Sequence, residues 1–210
     1  ELSPLATHVV IGHGAEQVRE KVLGEHLSWV VQAEQLGTGH AVMQALPNLR
    51  GDIALVVLGD TPLLQASSLK ALLDSVDTQS YGLLTVESAD PTGLGRIVRD
   101  ADGKVQKIVE HKDATPEQLA ITETNTGIMA IPRHLLEKCL PMLSSNNAQG
   151  EYYLTDLIEL AIAEGLQIVS AKASSEMEVQ GVNNRVQLAA LEREYQRQQA
   201  EAAMTAGASL

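Results

Sequence analysis

What chemistry this sequence holds is carried by a few polar residues and glycines: Gln32 to Thr38, Asp60, Gly93 to Gly95, Glu110, Asn125 and Asn183. They are amides, glycines and one or two carboxylates. Such groups suit the positioning of ligands and metal-assisted charge stabilisation better than covalent catalysis. No Ser/His/Asp arrangement is recognisable, and no His or Cys pair has zinc spacing. The six histidines are scattered. His13 and His40 stand beside glycines and read as polar loop residues rather than bases. Glu87, Asp90, Asp100 and Asp102 read as solvated loop charges.

Asp60 follows the apolar run from Ile53, which reads as a buried parallel strand and organises the chain. In open α/β sheets ligands bind outside the carboxyl ends of strands, where a carboxylate can hold a hard cation against phosphates. Gly-Asp-Thr-Pro is equally good turn chemistry, so Asp60 has a second reading as a turn or cap before the next helix. Gly37-Thr38-Gly39 is either a plain turn into a helix or a tight helix start whose free N–H groups face a ligand. Asn125-Thr126-Gly127 interrupts an apolar strand. That implies a bulge, with or without a ligand drawn close to the backbone. Asn183 and Asn184 are both natural N-caps for the helix that follows.

The elements that must position these residues alternate. Strands are expected at Thr7–Ile11, Leu27–Val31, Ile53 onward and Tyr81–Val86. Helices are expected at Ala15–Leu23, Ala41–Leu46 and Ser67–Val76. This order signals right-handed βαβ units, an α/β class and a mostly parallel sheet. The pattern then changes. Ile97–Arg99 and Lys104–Val109 flank Asp-Ala-Asp-Gly and read as a hairpin insertion. Ala114–Gln118 reads as a turn and Thr122–Ala130 as a strand. Helices follow at Arg133–Leu143, Tyr152–Ala163 and Arg185–Ala203, with a strand at Leu166–Ala171 between the last two.

The chain has 210 residues, 44% of them hydrophobic and 20% charged, as expected of one well-cored globular domain. Its net charge of −12 argues against a nucleic-acid partner. A phosphorylated substrate stays compatible, because local cations, backbone N–H groups or a metal offset global charge. Cys139 is the single cysteine, which rules out an intrachain disulfide framework and fits a reducing, cytoplasmic setting. No apolar run approaches the roughly 20 residues needed to span a membrane. The sequence starts at Glu1 without an initiator Met and reads as a fragment.

Seven blocks resemble, in order, the uridyltransferase domain of the bacterial bifunctional GlmU family. They are Gln32–Ala41, Gly59–Leu63, Asp90–Arg96, Ile108–Ala114, Asn125–Gly127, Asn146–Tyr153 and Glu178–Arg185. The resemblance implies a Rossmann-like, GT-A-like nucleotidyltransferase fold with a mixed, mostly parallel sheet. It implies transfer of uridylate from UTP to N-acetylglucosamine 1-phosphate. The products would be pyrophosphate and UDP-N-acetylglucosamine, a precursor of peptidoglycan and lipopolysaccharide.

Carried over block by block, Gln32, Gly37 and Thr38 would hold the uridine side. Leu58, Gly59 and Asp60 would line the site, the first two through backbone. Gly95, Glu110 and Asn125 would hold the N-acetylglucosamine moiety. Asp60 and Asn183 would ligate Mg²⁺, making Asp60 the catalytic carboxylate. Leu58 and Leu94 stand where relatives can carry tyrosine. The resemblance makes residues 1–203 a partial nucleotidyltransferase domain and 204–210 the start of a linker. Relatives have an earlier glycine-rich loop with an Arg and then a Lys, and a later β-helix acetyltransferase domain that makes the full-length protein a homotrimer. An inactive fragment, a non-catalytic sugar-nucleotide-binding remnant and a sugar nucleotidyltransferase of other specificity are the rival readings.

Overall fold

The computed structural model describes residues 2–22, 24 and 26–209. Strand β1 (Thr7–Ile11) leads through a glycine turn to helix α1 (Ala15–Lys21), then β2 (Leu27–Val31) and α2 (Thr38–Ala45). β3 (Ile53–Val56), α3 (Ala66–Asp74) and β4 (Ser80–Glu87) follow. β5 (Arg96–Arg99) and β6 (Val105–Val109) form the expected hairpin, paired antiparallel. The second half holds α4 (Pro116–Leu119), β7 (Glu123–Pro132), α5 (Arg133–Cys139), α6 (Leu157–Ala163), β8 (Gln167–Lys172), α7 (Glu176–Val179) and α8 (Arg185–Thr205). Leu23, the last residue of the helix expected at Ala15–Leu23, lies outside the described residues.

The α/β class and the mixed sheet are as expected, but the pairing is not mostly parallel. β1 and β2 pair parallel as a separate two-stranded sheet. In the six-stranded sheet, β3 and β4 both pair antiparallel with β7, and only β4 and β8 pair parallel. β3, β4, β5 and β8 do share one direction, opposed by β6 and β7. The difference is placement: β7 returns between strands that a simple βαβ count would have made neighbours. It makes β7, rather than β3, the centre of the sheet. Ile128 to Ile131 of β7 are at most 1% exposed, whereas all four β3 residues are half-buried.

Alternation along β4 and β7 sends side chains to both faces. Tyr81, Leu83, Met129 and Ile131 join the larger core with α5 and α6. Leu84, Ile128 and Ala130 join a smaller one with Leu72 of α3. Gly82 lets α3 lie close, since a Cβ there would stand 2.6 Å from Val76 and 2.9 Å from Leu72. The β4–β7 register shifts between Leu83 and Thr85, placing a bulge at Asn125–Gly127 where the strand-breaking residues predicted one. Ala114–Gln118 is more ordered than a turn. Thr115 and Gln118 form a reciprocal capping box that starts α4. Among the described residues, no helix is long and apolar enough to cross a membrane.

Candidate active site

Gln32 directly follows β2. Its backbone N–H continues the ladder to Ile11 O at 2.8 Å, and its side chain is 9% exposed. The amide nitrogen donates to Gly37 O at 3.1 Å, so the end of β2 grips the start of α2. Gly37 has φ +108°, and a Cβ there would lie 2.7 Å from Tyr152 O. At Gly39 a Cβ would lie 2.7 Å from Leu143 Cδ1 and 2.9 Å from Tyr152 O. The glycines admit the Tyr152 backbone, which accepts from Gly39 N and donates to Leu36 O, both at 2.8 Å. Thr38 Oγ1 accepts from Leu154 N at 3.2 Å, leaving its own O–H to donate. The loop is thus more than a plain turn: it is braced from outside by residues 152–154.

Asp60 lies beyond β3 in the exposed stretch Val57–Asp60, whose turn is held by Thr61 Oγ1 donating to Leu58 O at 3.0 Å. It does not cap α3, because the residue at that position is Gln65. Its backbone O accepts from Val182 N at 2.9 Å, and a Cβ on Gly181 would come within 3.0 Å of Asp60 Oδ2. The carboxylate therefore faces the segment that carries Asn183. The N-cap of α8 is Asn184, whose Oδ1 accepts from Val186 N and Gln187 N. Asn183 is thereby released from capping, and its side chain is exposed next to the Asp60 strap. The structure thus separates two adjacent asparagines that are equivalent as caps in the sequence.

The third group forms at the hairpin. A Cβ on Gly95 would meet Ile108 at 2.9 Å and the Glu110 carboxylate oxygens at 3.4 and 3.5 Å. Gly95 O accepts from Asn125 N at 2.8 Å. Asn125 Oδ1 accepts from Gly127 N at 3.1 Å, so its amide nitrogen is left to donate. Glu110 Oε1 accepts from Thr155 Oγ1 at 3.1 Å. Burial pushes the Glu110 carboxyl above the ordinary carboxylate range, and the Thr155 hydroxyl pulls it partly back. Leu58 packs over Gly127, where a Cβ would lie 2.7 Å from its Cδ1, so the β3 end touches the Asn125 bulge. Gly59 has open space around it.

Gly95, Glu110 and Asn125 thus meet, as do Gln32, Gly37 and Thr38, and Asp60 meets the residues beside Asn183. Consecutive residues Leu154 and Thr155 join the first two groups. That link was not legible in the sequence, because it depends on contacts between residues 113 to 116 positions apart and no residue type signals it. Glu178, fully buried, and Arg96, 2% exposed, were also passed over. The Arg96 guanidinium donates to Leu94 O and so fixes the glycine-rich loop before β5, while the Leu94 side chain points outward at 39% exposure. The available signal was weak: Glu178 is a charged residue between Met177 and Val179 in α7, and Arg96 opens the apolar strand β5 directly after Gly95. Among the described residues no three His, Cys, Asp or Glu side chains cluster as a metal cage. The Asp60 carboxylate, drawn so close to Gly181 that a Cβ there would stand 3.0 Å from Oδ2, and the Asn183 amide are oxygen donors of the kind a hard cation takes, its remaining ligands coming from phosphates and water.

Carboxylate and amide groups gathered at strand ends and loops of an α/β sheet, beside the glycine-bounded start of α2, are the arrangement of a nucleotide-handling transferase of the α/β class. The chain belongs to the MobA-like NTP transferase domain family, whose model matches residues 1–159. It is 54% identical over 209 residues to the protein named Bifunctional protein GlmU from Stutzerimonas stutzeri. It is 56% identical over 210 residues to that of Pseudomonas aeruginosa strain PAO1, and 55% to that of Azotobacter vinelandii. All of this chain is covered in each match, against 46% of the relative, so the chain spans about half the length of the curated relatives it matches. The resemblance seen in the seven blocks is borne out.

Proposed function

We propose that this chain is the uridylyl-transferring part of a GlmU-type protein. It would take UTP and N-acetylglucosamine 1-phosphate and give UDP-N-acetylglucosamine and pyrophosphate, in the cytoplasm. The observation that carries this reading is the strap between Asp60 and Gly181–Asn183, together with the meeting of Gly95, Glu110 and Asn125. The identity to GlmU proteins supports it along the whole chain.

In the reaction an oxygen of the sugar phosphate attacks the α-phosphorus of UTP, and the bond to the β-phosphate breaks. That oxygen is already anionic, so no strong base is needed, and alignment supplies most of the rate. Gln32 offers Oε1 to the uracil N–H, with Gly37 and Thr38 beside it. Leu58 and Gly59 line the floor. Glu110 accepts from sugar hydroxyls and Asn125 donates to the sugar. Asp60 and Asn183 would hold Mg²⁺, which when bound offsets charge on the phosphates. In the longer protein, residues 1–203 form this domain, the linker starts near 204, and assembly as a homotrimer comes from the other half.

The test is Mg²⁺-dependent pyrophosphate release from UTP plus N-acetylglucosamine 1-phosphate. Asp60→Ala is expected to lower it by ~100-fold or more, the size of losing one charge-stabilising group. Because the Asp60 side chain is exposed, its thermal midpoint should hardly move. Binding of UDP-N-acetylglucosamine with no pyrophosphate release by the native chain would instead make it a binding remnant.

A further inference from the structure

We infer that His40 is a specificity-determining positioning residue: it fixes the Gln32 side-chain amide so that only an acceptor faces the nucleotide base. This rests on the uridine reading above and deepens it. A primary amide has two N–H donors and one oxygen. The Gln32 nitrogen lies 3.1 Å from Gly37 O and 3.0 Å from His40 Nδ1. A backbone carbonyl can only accept, so the nitrogen end must point to Gly37, and the amide cannot be turned round. The second N–H then falls on His40 Nδ1, which must accept and so carries no proton. The imidazole proton is on Nε2. There the Gln44 side-chain amide lies 3.1 Å away and, turned end for end, receives that proton on its oxygen.

Both Gln32 donors are spent inside the protein. Its Oε1 accepts no hydrogen bond among the described residues, and only that atom is left for a ligand. An acceptor selects a base edge bearing an N–H, such as N3–H of uracil or thymine. It disfavours cytosine, which has a lone pair at N3. A site built on such a bond rejects the mismatched partner because buried polar groups are left unpaired. His40 is held for this task. It sits on α2 directly after Gly39, with its ring centroid 6.4 Å from that of Tyr152. The same Tyr152 whose backbone braces the glycine loop therefore also flanks the imidazole.

Two measurements on the full 210-residue chain test this. The first is the ¹⁵N spectrum of the His40 ring, which should show the proton on Nε2. A proton on Nδ1 would overturn the inference whatever the ligand. The second is calorimetric binding of UTP and of CTP to the native chain, His40→Leu and His40→Asn. Leucine removes the acceptor, whereas asparagine can place a carbonyl oxygen where Nδ1 stood. His40→Leu should shrink the preference for UTP by about tenfold or more, while His40→Asn should stay within about threefold of native, as expected when one oriented hydrogen bond sets the choice. An unchanged preference in His40→Leu, or equal losses in both variants, overturns the role of His40 alone. A native chain that binds CTP as well as UTP overturns the uridine reading of Gln32, and with it the base-selecting role. A His40→Leu chain that does not fold leaves the ring spectrum and His40→Asn to decide.

Discussion

The Thr155 hydroxyl donates to Glu110 Oε1 at 3.1 Å, and the residue before it, Leu154, donates its N–H to Thr38 Oγ1. One short 3-10 turn, Leu154–Asp156, therefore touches both the carboxylate proposed for the sugar and the loop proposed for the nucleotide. Glu110 is destabilised by its own burial and steadied by Thr155. Its folded pKa lies above its ordinary value, so the fold binds protons more tightly than the unfolded chain. The resulting stability is lost as pH rises from about 4.5 through that raised value. Glu110→Gln keeps the shape and removes the buried charge. It should raise the thermal midpoint at pH 7 and leave it unchanged below pH ~4.5, while raising KM for the sugar phosphate by about tenfold or more. Thr155→Val should push the Glu110 carboxyl further up and shift the acid limb of activity to higher pH. An unmoved acid limb would remove Thr155 from the site.

Gly37 is tied to the Tyr152 backbone more tightly than any side chain allows. Its φ of +108° is a glycine conformation, and the atom a Cβ would strike is a backbone oxygen that cannot swing away. Gly37→Ala should destabilise the chain by about 1–3 kcal/mol and also break the Gln32 grip on the α2 start. Thermal unfolding measures the first effect and UTP titration the second. Loss of stability with native UTP affinity would mean that the loop is structural only.

Much of this architecture was legible in the residues, for reasons that are local. Apolar runs gave the strands, and Asp-Ala-Asp-Gly gave the hairpin. Asn125 and Gly127 located the bulge, because few other residues suit that break. Pairing was not legible. Ile53–Val56 has the apolar run of a central parallel strand, yet it lies half-buried and antiparallel to β7. Which strand returns between two others is decided by packing distant in sequence. The site divides in the same way. Gln32, Asp60, Gly95, Glu110, Asn125 and Asn183 were visible as polar residues and a glycine at element ends or at a strand break, and the GlmU resemblance sorted them into groups. Tyr152, Thr155 and His40 were not, since their parts are set by contacts across the fold. His40 in particular reads as a loop residue until Gln32 is seen beside it.

Arg99 and Glu123 form a two-pronged ion pair within the sheet, with Arg99 Nε and Nη2 reaching the two carboxylate oxygens at 2.7 and 2.6 Å. Thr85 Oγ1 adds a third bond at 2.9 Å, so the pair ties β5 to β7 and β4 beside the bulge. The guanidinium holds the Glu123 carboxyl below its ordinary value. This contribution is complete above pH ~4.5 and is lost as pH falls through the depressed value. Arg99→Met should cost about 1–3 kcal/mol at pH 7, within the range for a charged hydrogen-bonded group, and the cost should shrink below pH 4. Denaturant titrations at pH 7 and pH 3.5 test it. An equal loss at both would assign the effect to packing of the arginine stem.

Glu178 shows how a residue with no ligand in reach can govern the proposed metal pair. It is wholly buried, yet it is not paired with any cation among the described residues. Burial pushes its carboxyl up, but the hydroxyls of Ser174 and Ser68 and two backbone N–H groups outweigh that and hold it below the ordinary range. Those donors come from two segments. Ser174 N–H and O–H reach Oε2 at 2.9 and 2.6 Å, and Gln65 N reaches Oε1 at 3.4 Å. Gln65 is the residue that starts α3, five positions after Asp60, and Val182 donates to Asp60 O. The stretches 60–65 and 178–182 therefore run side by side, fastened at one end by Glu178 and at the other by Val182. Glu178→Ala strips the acceptor from several buried donors and should destabilise the chain by about 2–4 kcal/mol. Glu178→Gln keeps one oxygen and the volume. It should lose less stability but allow Asp60 and Asn183 to drift apart. Its expected signature is faster hydrogen exchange at Val182 and a several-fold higher Mg²⁺ concentration for half-maximal pyrophosphate release, with KM for the sugar phosphate near native. If exchange at Val182 were unchanged, Glu178 would serve the α3 start alone, and the alignment of Asp60 with Asn183 would have to come from α8.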